Sequence, residues 1–492
     1  MSHGPESALR GGCGACVSRR RFMAAGGAAA LGTALAGCAG RTGVTSSQER
    51  RIRPMGPASK YVPLVHAAFV RRKGEYGMRW PGAVFDGEAA RRDITQKAEA
   101  AAKGLGLRLV LRPEPVYSKE EAEAWIGQAA AEKADGLFVI LLDRQEHAWP
   151  TAARAVESKI PTVVFAPVGA AFTTNTAPLA AKAGAFVCST DDFSRAAYGL
   201  RMLGAGARLR EMRYVVIQGT ERQDSELAHF GTKIRRIPAA GFLEEYNRTP
   251  VTDEVQSIAN DYMGRATRLV MTGRQDVVNG VKSYVVARSI LEREEGDGIT
   301  MDCLGALGKS QVSLPCIAWS RMLDHNIPAA CEADLGPAVT HAIVQSLFDR
   351  PGFQQDPVPD TGDGTLIGAH CSCPTRLNGY AEAPETFYLS CHHGKRDAVP
   401  RTVWREGQRM TSVVVGLGKD KAPPHMVISS GTVVGNVSVP PAGGCVVSVK
   451  VRLDGVDNLL AYPGFHQLFV YGDFKRELKA YGQLFGIEAR VV

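Results

Sequence analysis

Three features that would place a protein in a common class are missing from this sequence. Beyond residue 60 there is no run of about 18 consecutive apolar residues, which excludes a membrane-spanning helix from the body of the chain. No Gly-x-Gly-x-x-Gly pattern follows a predicted strand, so no dinucleotide cofactor is predicted. The cysteines also lack the close, regular spacing of a disulfide-stapled domain.

A strong net charge is lacking as well. The formal charge of the 492-residue chain is +8, but residues 1–38 carry +3 and residues 39–60 carry +4. The remainder therefore carries about +1, without the basic surface that binds nucleic acid. We predict no nucleic-acid partner.

The cysteines beyond residue 38 lie mostly in apolar segments and are predicted to be buried thiols. They are Cys188, Cys303, Cys316, Cys331, Cys371, Cys373, Cys391 and Cys445. Cys371 and Cys373 form a Cys-x-Cys motif beside His370, which leaves a zinc site open as an alternative. The segment CHHGKRD, which contains His392, is predicted to be an exposed polar turn.

The beginning of the chain resembles an export signal. Ser18–Met23 reads SRRRFM, a twin-arginine start, and an Ala/Gly-rich run leads from it to the sequence LAGC ending at Cys38. In such signals this cysteine is lipidated, so we predict an exported periplasmic or cell-envelope lipoprotein that Cys38 anchors to the inner membrane. If the signal is not used, the protein would be cytoplasmic.

From residue 61 onward, apolar runs alternate with amphipathic segments, which is typical of an α/β fold with parallel sheets. A second α/β unit is predicted to begin near Phe186, with strands at Cys316–Trp319 and Ala329–Glu332 and a helix opening at Leu335. After Pro351, short strands and turns predict a β-rich domain. The predicted divisions are a signal at 1–38, a linker at 39–60, an N-terminal α/β domain at 61–180, a central α/β domain at 181–350 and a C-terminal β-rich domain at 351–492.

Four oxygen- or nitrogen-bearing side chains stand at predicted strand ends. Glu332 and Asp334 lie in AACEAD, His370 lies in GAHCSCP and His466 lies in YPGFHQLF. Carboxylates and imidazoles without a required thiolate are the ligands of a catalytic divalent cation such as Mn²⁺. On an extended segment, Glu332 and Asp334 would share one face.

Three of these residues, and Asp302 in the segment ITMDCLGALG, also have a purely structural interpretation. Asp334 could cap the helix that follows it, and Asp302 could close a strand before a turn. His370 and His466 could be satisfied core histidines.

Several segments resemble the L-fucose isomerase and L-arabinose isomerase superfamily, especially its shorter fucose-isomerase-like members. They are ITMDCLGALG, PCIAWSRMLDHNIPAACEADLGPAVTHAI, LIGAHCSCPT and the C-terminal GFHQLFVYGDFKRELKAYGQLFGIEARV. The resemblance implies two Rossmann-like domains, a barrel-like C-terminal domain, a homo-oligomer, and Mn²⁺ or a similar ion held by acidic residues and histidine.

Carried onto this chain, the resemblance places Glu332 and Asp334 in the acidic turn of that family. His370 matches its His-Cys strand and His466 matches its late histidine. Asp302 falls where the family has an earlier glutamate.

Isomerising a sugar between C1 and C2 removes a proton beside a carbonyl and forms an ene-diol. A divalent cation would stabilise the charge that develops on the two oxygens while a carboxylate moves the proton. The predicted function is therefore a metal-dependent aldose–ketose isomerase acting on a free monosaccharide such as L-fucose or L-arabinose. Glu332 and Asp302 are the predicted proton-transferring pair. The alternative is an exported sugar-binding or sensory lipoprotein that keeps the scaffold without catalysis.

Overall fold

The structure is a computed structural model that describes residues 50–74, 86–144, 146–392, 397–418, 422–437 and 447–492. The twin-arginine motif, the lipobox at Cys38 and most of the predicted linker lie outside the described residues. Residues 47–492 group into one compact unit. The predicted divisions at 180/181 and 350/351 stay predictions.

The first sheet consists of five parallel strands in the spatial order β2-β1-β3-β4-β5. The strands are β1 (Leu64–Val70), β2 (Arg108–Leu111), β3 (Gly136–Leu141), β4 (Thr162–Ala166) and β5 (Ala185–Ser189). Every residue of β1, β3 and β4 is buried, as expected for a parallel sheet covered on both faces. Because β5 pairs with β4, the segment near Phe186 completes the first sheet. The expectation that this segment opens the second α/β unit is therefore wrong.

Six helices accompany this sheet. They are α1 (Pro57–Lys60), α2 (Gly87–Leu105), α3 (Lys119–Ala131), α4 (Ala148–Glu157), α5 (Thr173–Ala180) and α6 (Ser194–Glu211). Side chains cap the N-termini of two of these helices. Asp86 accepts hydrogen bonds from backbone N–H groups in the first turn of α2, and Ser118 accepts one in the first turn of α3.

The second sheet has the order β11-β10-β6-β8-β7 and is parallel except for the edge strand β7. The strands of this region are β6 (Arg213–Ile217), β7 (Gln223–Glu226), β8 (Lys233–Ile237), β9 (Leu269–Val270), β10 (Gly298–Met301) and β11 (Ala329–Cys331). Its helices are α7 (Ala239–Arg248), α8 (Asp253–Arg265), α9 (Arg274–Arg293), α10 (Cys303–Leu307), α11 (Cys316–Asp324) and α12 (Leu335–Phe348).

The prediction of a strand at Cys316–Trp319 is wrong, because these residues begin α11. Every residue of this helix from Cys316 to Leu323 is buried. A short apolar run that is buried on all sides has the same sequence pattern in a helix as in a central strand.

The C-terminal part is a closed barrel of six antiparallel strands with the order β16-β19-β12-β13-β18-β17, closed by pairing of β16 with β17. Its strands and those beside it are β12 (Phe353–Asp360), β13 (Thr365–His370), β14 (Phe387–Ser390), β15 (Val399–Thr402), β16 (Arg409–Gly416), β17 (His425–Asn436), β18 (Val447–Leu453), β19 (Gln467–Tyr471) and β20 (Glu488–Val491). A 3-10 helix (Leu459–Ala461) and α13 (Lys475–Phe485) complete the fold. The predicted architecture of two Rossmann-like parallel sheets followed by a barrel is confirmed. Of the helices in the described ranges, none is long and apolar enough to cross a membrane.

Candidate functional site

The strand register of the barrel brings Asp356, His370 and His466 together at one end. The two histidines were predicted from the sequence, and Asp356 was not. Within β12, Asp356 lies opposite Ala369, the neighbour of His370 at the end of β13. On the other side of β12, Gln355 lies opposite Gln467, the neighbour of His466 at the start of β19. Asp356 therefore stands between the two histidines.

The second sheet contributes the remaining acids. Glu332 directly follows β11, and Asp334 caps the N-terminus of α12 by accepting a hydrogen bond from the backbone of Gly336 at 3.0 Å. The amide oxygen of Gln354 accepts from the backbone N–H of Cys331 at 2.9 Å. This bond ties the end of β11 to barrel strand β12, and so holds Glu332 beside the barrel residues.

His466 lies at the centre of the acidic group. Its Nδ1 is 2.9 Å from Oδ2 of Asp334, and its Nε2 is 3.2 Å from Oδ1 of Asp356 and 3.5 Å from Oε2 of Glu332. His370 Nε2 is 3.8 Å from Oε1 of Glu332. One ligand atom each from Glu332, His370 and His466 lie within 4.8 Å of one another.

The turn at Glu332 differs from the extended segment that the sequence predicted. Glu332 and Ala333 have φ values of 63° and 56°, in the left-handed region that non-glycine residues seldom adopt, and His466 has a φ of 50°. The expectation that Glu332 and Asp334 share one face of a strand is wrong. The turn instead places their carboxylates at opposite ring nitrogens of His466.

The site is buried on its histidine side and open on its acidic side. His370 and His466 are buried, whereas the side chains of Glu332, Asp334 and Asp356 retain between 31% and 39% of their exposure. A ligand from solvent would meet the carboxylates first.

These contacts shift the ionisation of the site. The hydrogen bond from His466 holds the pKa of Glu332 below its usual value. Burial lowers the pKa of His370, which keeps that imidazole neutral. Burial alone would lower the pKa of His466 too, but Asp334, Asp356 and Glu332 together raise it to about 11.

Three buried polar atoms of this cluster face one another and Glu332 at its centre. His466 Nε2 lies 3.2 Å from Asp356 Oδ1 and 3.5 Å from Glu332, and His370 Nε2 lies 3.8 Å from Glu332. These separations are longer than the roughly 2.7–2.9 Å of a strong charge-assisted hydrogen bond, so the atoms could also meet a ligand. Oxygen and imidazole nitrogen donors at these separations fit a divalent cation of the Mn²⁺ type.

Asp302 occupies a capping position. It directly follows β10, and its carboxylate accepts from the backbone N–H of Gly305 at 3.0 Å, at the start of α10. Because Met301 pairs with Cys331, Asp302 and Glu332 leave neighbouring strands at the same edge of the sheet. Asp302 is not one of the three residues in the ligand cluster.

Sequence reasoning missed Asp356. Its signal is the polar run Gln354, Gln355 and Asp356 inside a strand whose first three residues are buried. Three consecutive polar residues break the apolar pattern of a barrel strand and mark a site where side chains bind one another or a ligand.

The aromatic residue beside the site is Phe465. It is 61% exposed, and its ring centroid lies 4.5 Å from that of His466. Phe465 and Asp334 both line a cavity of about 400 Å³. Trp319 is fully buried in the core.

The alternative zinc site at Cys371 and Cys373 does not form as the spacing suggested. The thiol of Cys373 lies 3.4 Å from the carbonyl oxygen of Pro374 and donates to it, whereas Cys371 lies among other cysteines and histidines. His392, predicted in an exposed turn, is buried.

Comparison with protein-family models gives no match, and comparison with curated proteins gives none either. Among solved structures, "XylFII molecule" matches at 12% identity over 49% of this chain and 79% of its own, with a TM-score of 0.18. A periplasmic sugar-binding protein of an ABC sugar transporter from Legionella pneumophila matches at 12% identity over 58% and 96%, with a TM-score of 0.18. A sugar-binding protein of a sugar ABC transporter from Bacillus halodurans matches at 16% over 61% and 91%, with a TM-score of 0.17. At these TM-scores the matches carry no argument about function.

Proposed function

We propose that this chain is a divalent-cation-dependent aldose–ketose isomerase acting on a free monosaccharide such as L-fucose or L-arabinose. One observation carries the proposal: the carboxylates of Glu332 and Asp356 converge on the buried Nε2 atoms of His370 and His466, with N–O distances of 3.2–3.8 Å. A binding site for sugar hydroxyls alone needs hydrogen-bonding groups, but it does not need carboxylates and histidines converging on one point.

Glu332, Asp356, His370 and His466 are the residues that would hold the cation. We assign Asp334 a positioning role, because its hydrogen bond to Nδ1 of His466 turns Nε2 toward the cluster. When bound there, a cation such as Mn²⁺ would polarise the carbonyl and hydroxyl oxygens of an open-chain sugar.

Glu332 is suited to proton transfer as well as to binding. Its lowered pKa keeps it ionised at neutral pH, and its side chain is about one-third exposed. Asp302, at the end of the adjacent strand, is the second member of the proposed pair. The two carboxylates would hold and return the proton that moves between neighbouring sugar carbons.

The exposed ring of Phe465 offers an apolar face for the sugar. Aromatic rings bury the C–H face of a ligand while leaving its hydroxyls to polar groups. The cavity of about 400 Å³ that Phe465 and Asp334 line is large enough for a monosaccharide, although Glu332, Asp356, His370 and His466 are not among its lining residues.

Export, lipid anchoring at Cys38 and assembly into a homo-oligomer remain part of the proposal. The twin-arginine pathway transports folded proteins, so the cation could be bound before export.

The experiment that tests the function uses the purified protein stripped of metal with a chelator. It is assayed for aldose–ketose conversion across a panel of L- and D-aldoses, with and without added Mn²⁺. We expect turnover of at least one sugar that depends on the added cation.

Glu332→Gln should reduce kcat by about 10²–10⁴-fold while leaving the folded structure intact, because it removes the proton-transferring carboxylate. Glu406→Gln, a change at an exposed turn residue, is the matched control and should leave kcat unchanged. Full activity in Glu332→Gln would remove Glu332 from the mechanism. Saturable sugar binding without turnover would instead favour the sugar-binding lipoprotein.

A further inference from the structure

A second group of metal-ligating side chains lies behind the proposed isomerase site and has different chemistry. Cys316 begins α11, Cys331 ends β11, Cys371 follows β13, and His392 follows β14 by two residues. Four elements that are distant in sequence thus bring three thiols and an imidazole into one buried region. All four residues are at most 5% exposed.

The donor atoms are close enough to share one cation. Sγ of Cys316, Sγ of Cys371 and a ring nitrogen of His392 lie within 4.8 Å of one another. Cys331 and Cys371 form a similar group with His370. In a tetrahedral zinc site, bonds of about 2.3 Å to sulfur and 2.0 Å to nitrogen place the donors about 3.5–3.8 Å apart, so small side-chain movements would complete the geometry.

Charge also favours a cation at this position. Two thiolates balance the charge of a divalent ion, so a site of Cys316, Cys371 and neutral His392 is electrically neutral when filled. Burial disfavours an uncompensated charge and tolerates such a neutral assembly. Thiolates select thiophilic ions such as Zn²⁺, whereas the oxygen-rich group around His466 suits harder ions.

We propose that Cys316, Cys371 and His392 form a structural site for a thiophilic divalent cation of the Zn²⁺ class, with Cys331 beside it as a further thiol. The site is separate from the proposed isomerase centre and does not depend on that function. His370 lies between the two: its Nε2 is 3.8 Å from Glu332, and its Nδ1 is 3.6 Å from Sγ of Cys371. A cation on Cys371 would therefore sit directly behind a proposed ligand of the catalytic site.

Cobalt distinguishes the two sites, because Co²⁺ bound by thiolate gives an intense charge-transfer absorption in the near ultraviolet and Co²⁺ bound only by oxygen and nitrogen does not. The full-length protein is stripped of metal under reducing, anaerobic conditions and titrated with Co²⁺. We expect the thiolate absorption to appear, to saturate at one equivalent and to disappear when Zn²⁺ is added.

Cys371→Ser and Cys316→Ser should lose that absorption together with one equivalent of bound zinc. Cys373→Ser is the matched control, since Cys373 is also fully buried but lies outside the cluster. It should keep both. Glu332→Gln should keep the thiolate absorption too, so failure of the catalytic site can be told from failure of the thiol site.

Two results would overturn the proposal, and both are read from the unmodified protein, so neither depends on a variant folding. The first is the absence of any thiolate-to-cobalt absorption. The second is a disulfide among Cys316, Cys331 and Cys371 in the protein as isolated, detected by mass spectrometry after alkylation without reductant.

Discussion

At the scale of single residues, His466 organises the candidate site. It contacts three carboxylates through its two ring nitrogens, and its left-handed backbone sets the ring between the barrel and the second sheet. Asp334 holds Nδ1, which leaves Nε2 facing Asp356 and Glu332. Orienting partners of this kind fix both the tautomer and the direction of a ligating histidine.

Asp334→Asn should therefore weaken Mn²⁺ binding by about 10–100-fold, because the amide holds the imidazole less firmly than the carboxylate does. Isothermal titration calorimetry of the metal-stripped protein measures the change. Asp457→Asn, in an exposed loop, should bind as tightly as the unmodified protein. Equal affinities for all three proteins would show that Asp334 only caps α12.

The site residues were predictable from the sequence to differing degrees. His370 and His466 could be proposed because they end or precede apolar strands. Asp356 could not, because its partners come from β13 and β19, and only the register of the closed barrel places it between them. The group containing Cys316 and His392 likewise depends on contacts between separate elements and left no local pattern.

At the scale of elements, α12 contains a buried histidine away from the site. His341 is fully buried on this helix, neither ring nitrogen has a hydrogen-bond partner, and burial lowers its pKa to about 3. In the unfolded chain its pKa is near 6.5. The unfolded state therefore binds a proton that the folded state rejects, and this histidine lowers stability as the pH falls through 6.5 toward 3.

Between pH 7.5 and 5.0, His341 should cost about 2 kcal/mol of unfolding free energy. His341→Leu should remove that part of the acid sensitivity, which urea unfolding at the two pH values measures. The exposed-site variant His229→Gln should lose as much stability on acidification as the native protein. An unchanged acid response in His341→Leu would show that another group takes up the proton.

The sequence predicted correctly whether a segment is a helix or a strand where its hydrophobic pattern was long or where a capping residue marked its end. The alternating α/β pattern predicted from residue 61 onward is confirmed by the buried strands β1, β3 and β4 and by α3, which Ser118 caps. The prediction for Cys316–Trp319 was wrong because α11 is short and buried on every side, so its apolar run shows no helical period. Near Phe186, the strand itself was foreseeable, but pairing with β4 decided which sheet it joins.

At the scale of the whole molecule, Asp297 joins the start of the described chain to the second sheet. Its carboxylate accepts hydrogen bonds from the backbone N–H groups of Ala58, Ser59 and Arg213 at 3.0–3.1 Å. The first two belong to α1, and the third belongs to β6. One buried side chain thus connects segments more than 150 residues apart in sequence.

Asp297→Ala should lower the free energy of unfolding by about 3 kcal/mol, since three buried N–H groups lose their acceptor. Urea denaturation followed by circular dichroism measures the loss. Asp224→Ala removes an exposed ion pair with Arg235 and should cost less than about 1 kcal/mol. Similar losses in the two variants would contradict the connecting role of Asp297.

The high pKa of His466 would couple cation binding at the proposed site to the release of a proton. With its pKa near 11, the imidazole carries a proton at neutral pH, and Nε2 cannot accept a divalent ion until that proton leaves. Each cation bound there would therefore displace one proton, and below this pKa its apparent affinity would fall about tenfold for each unit by which the pH drops. An acidic medium would favour the protonated site over the cation-bound one.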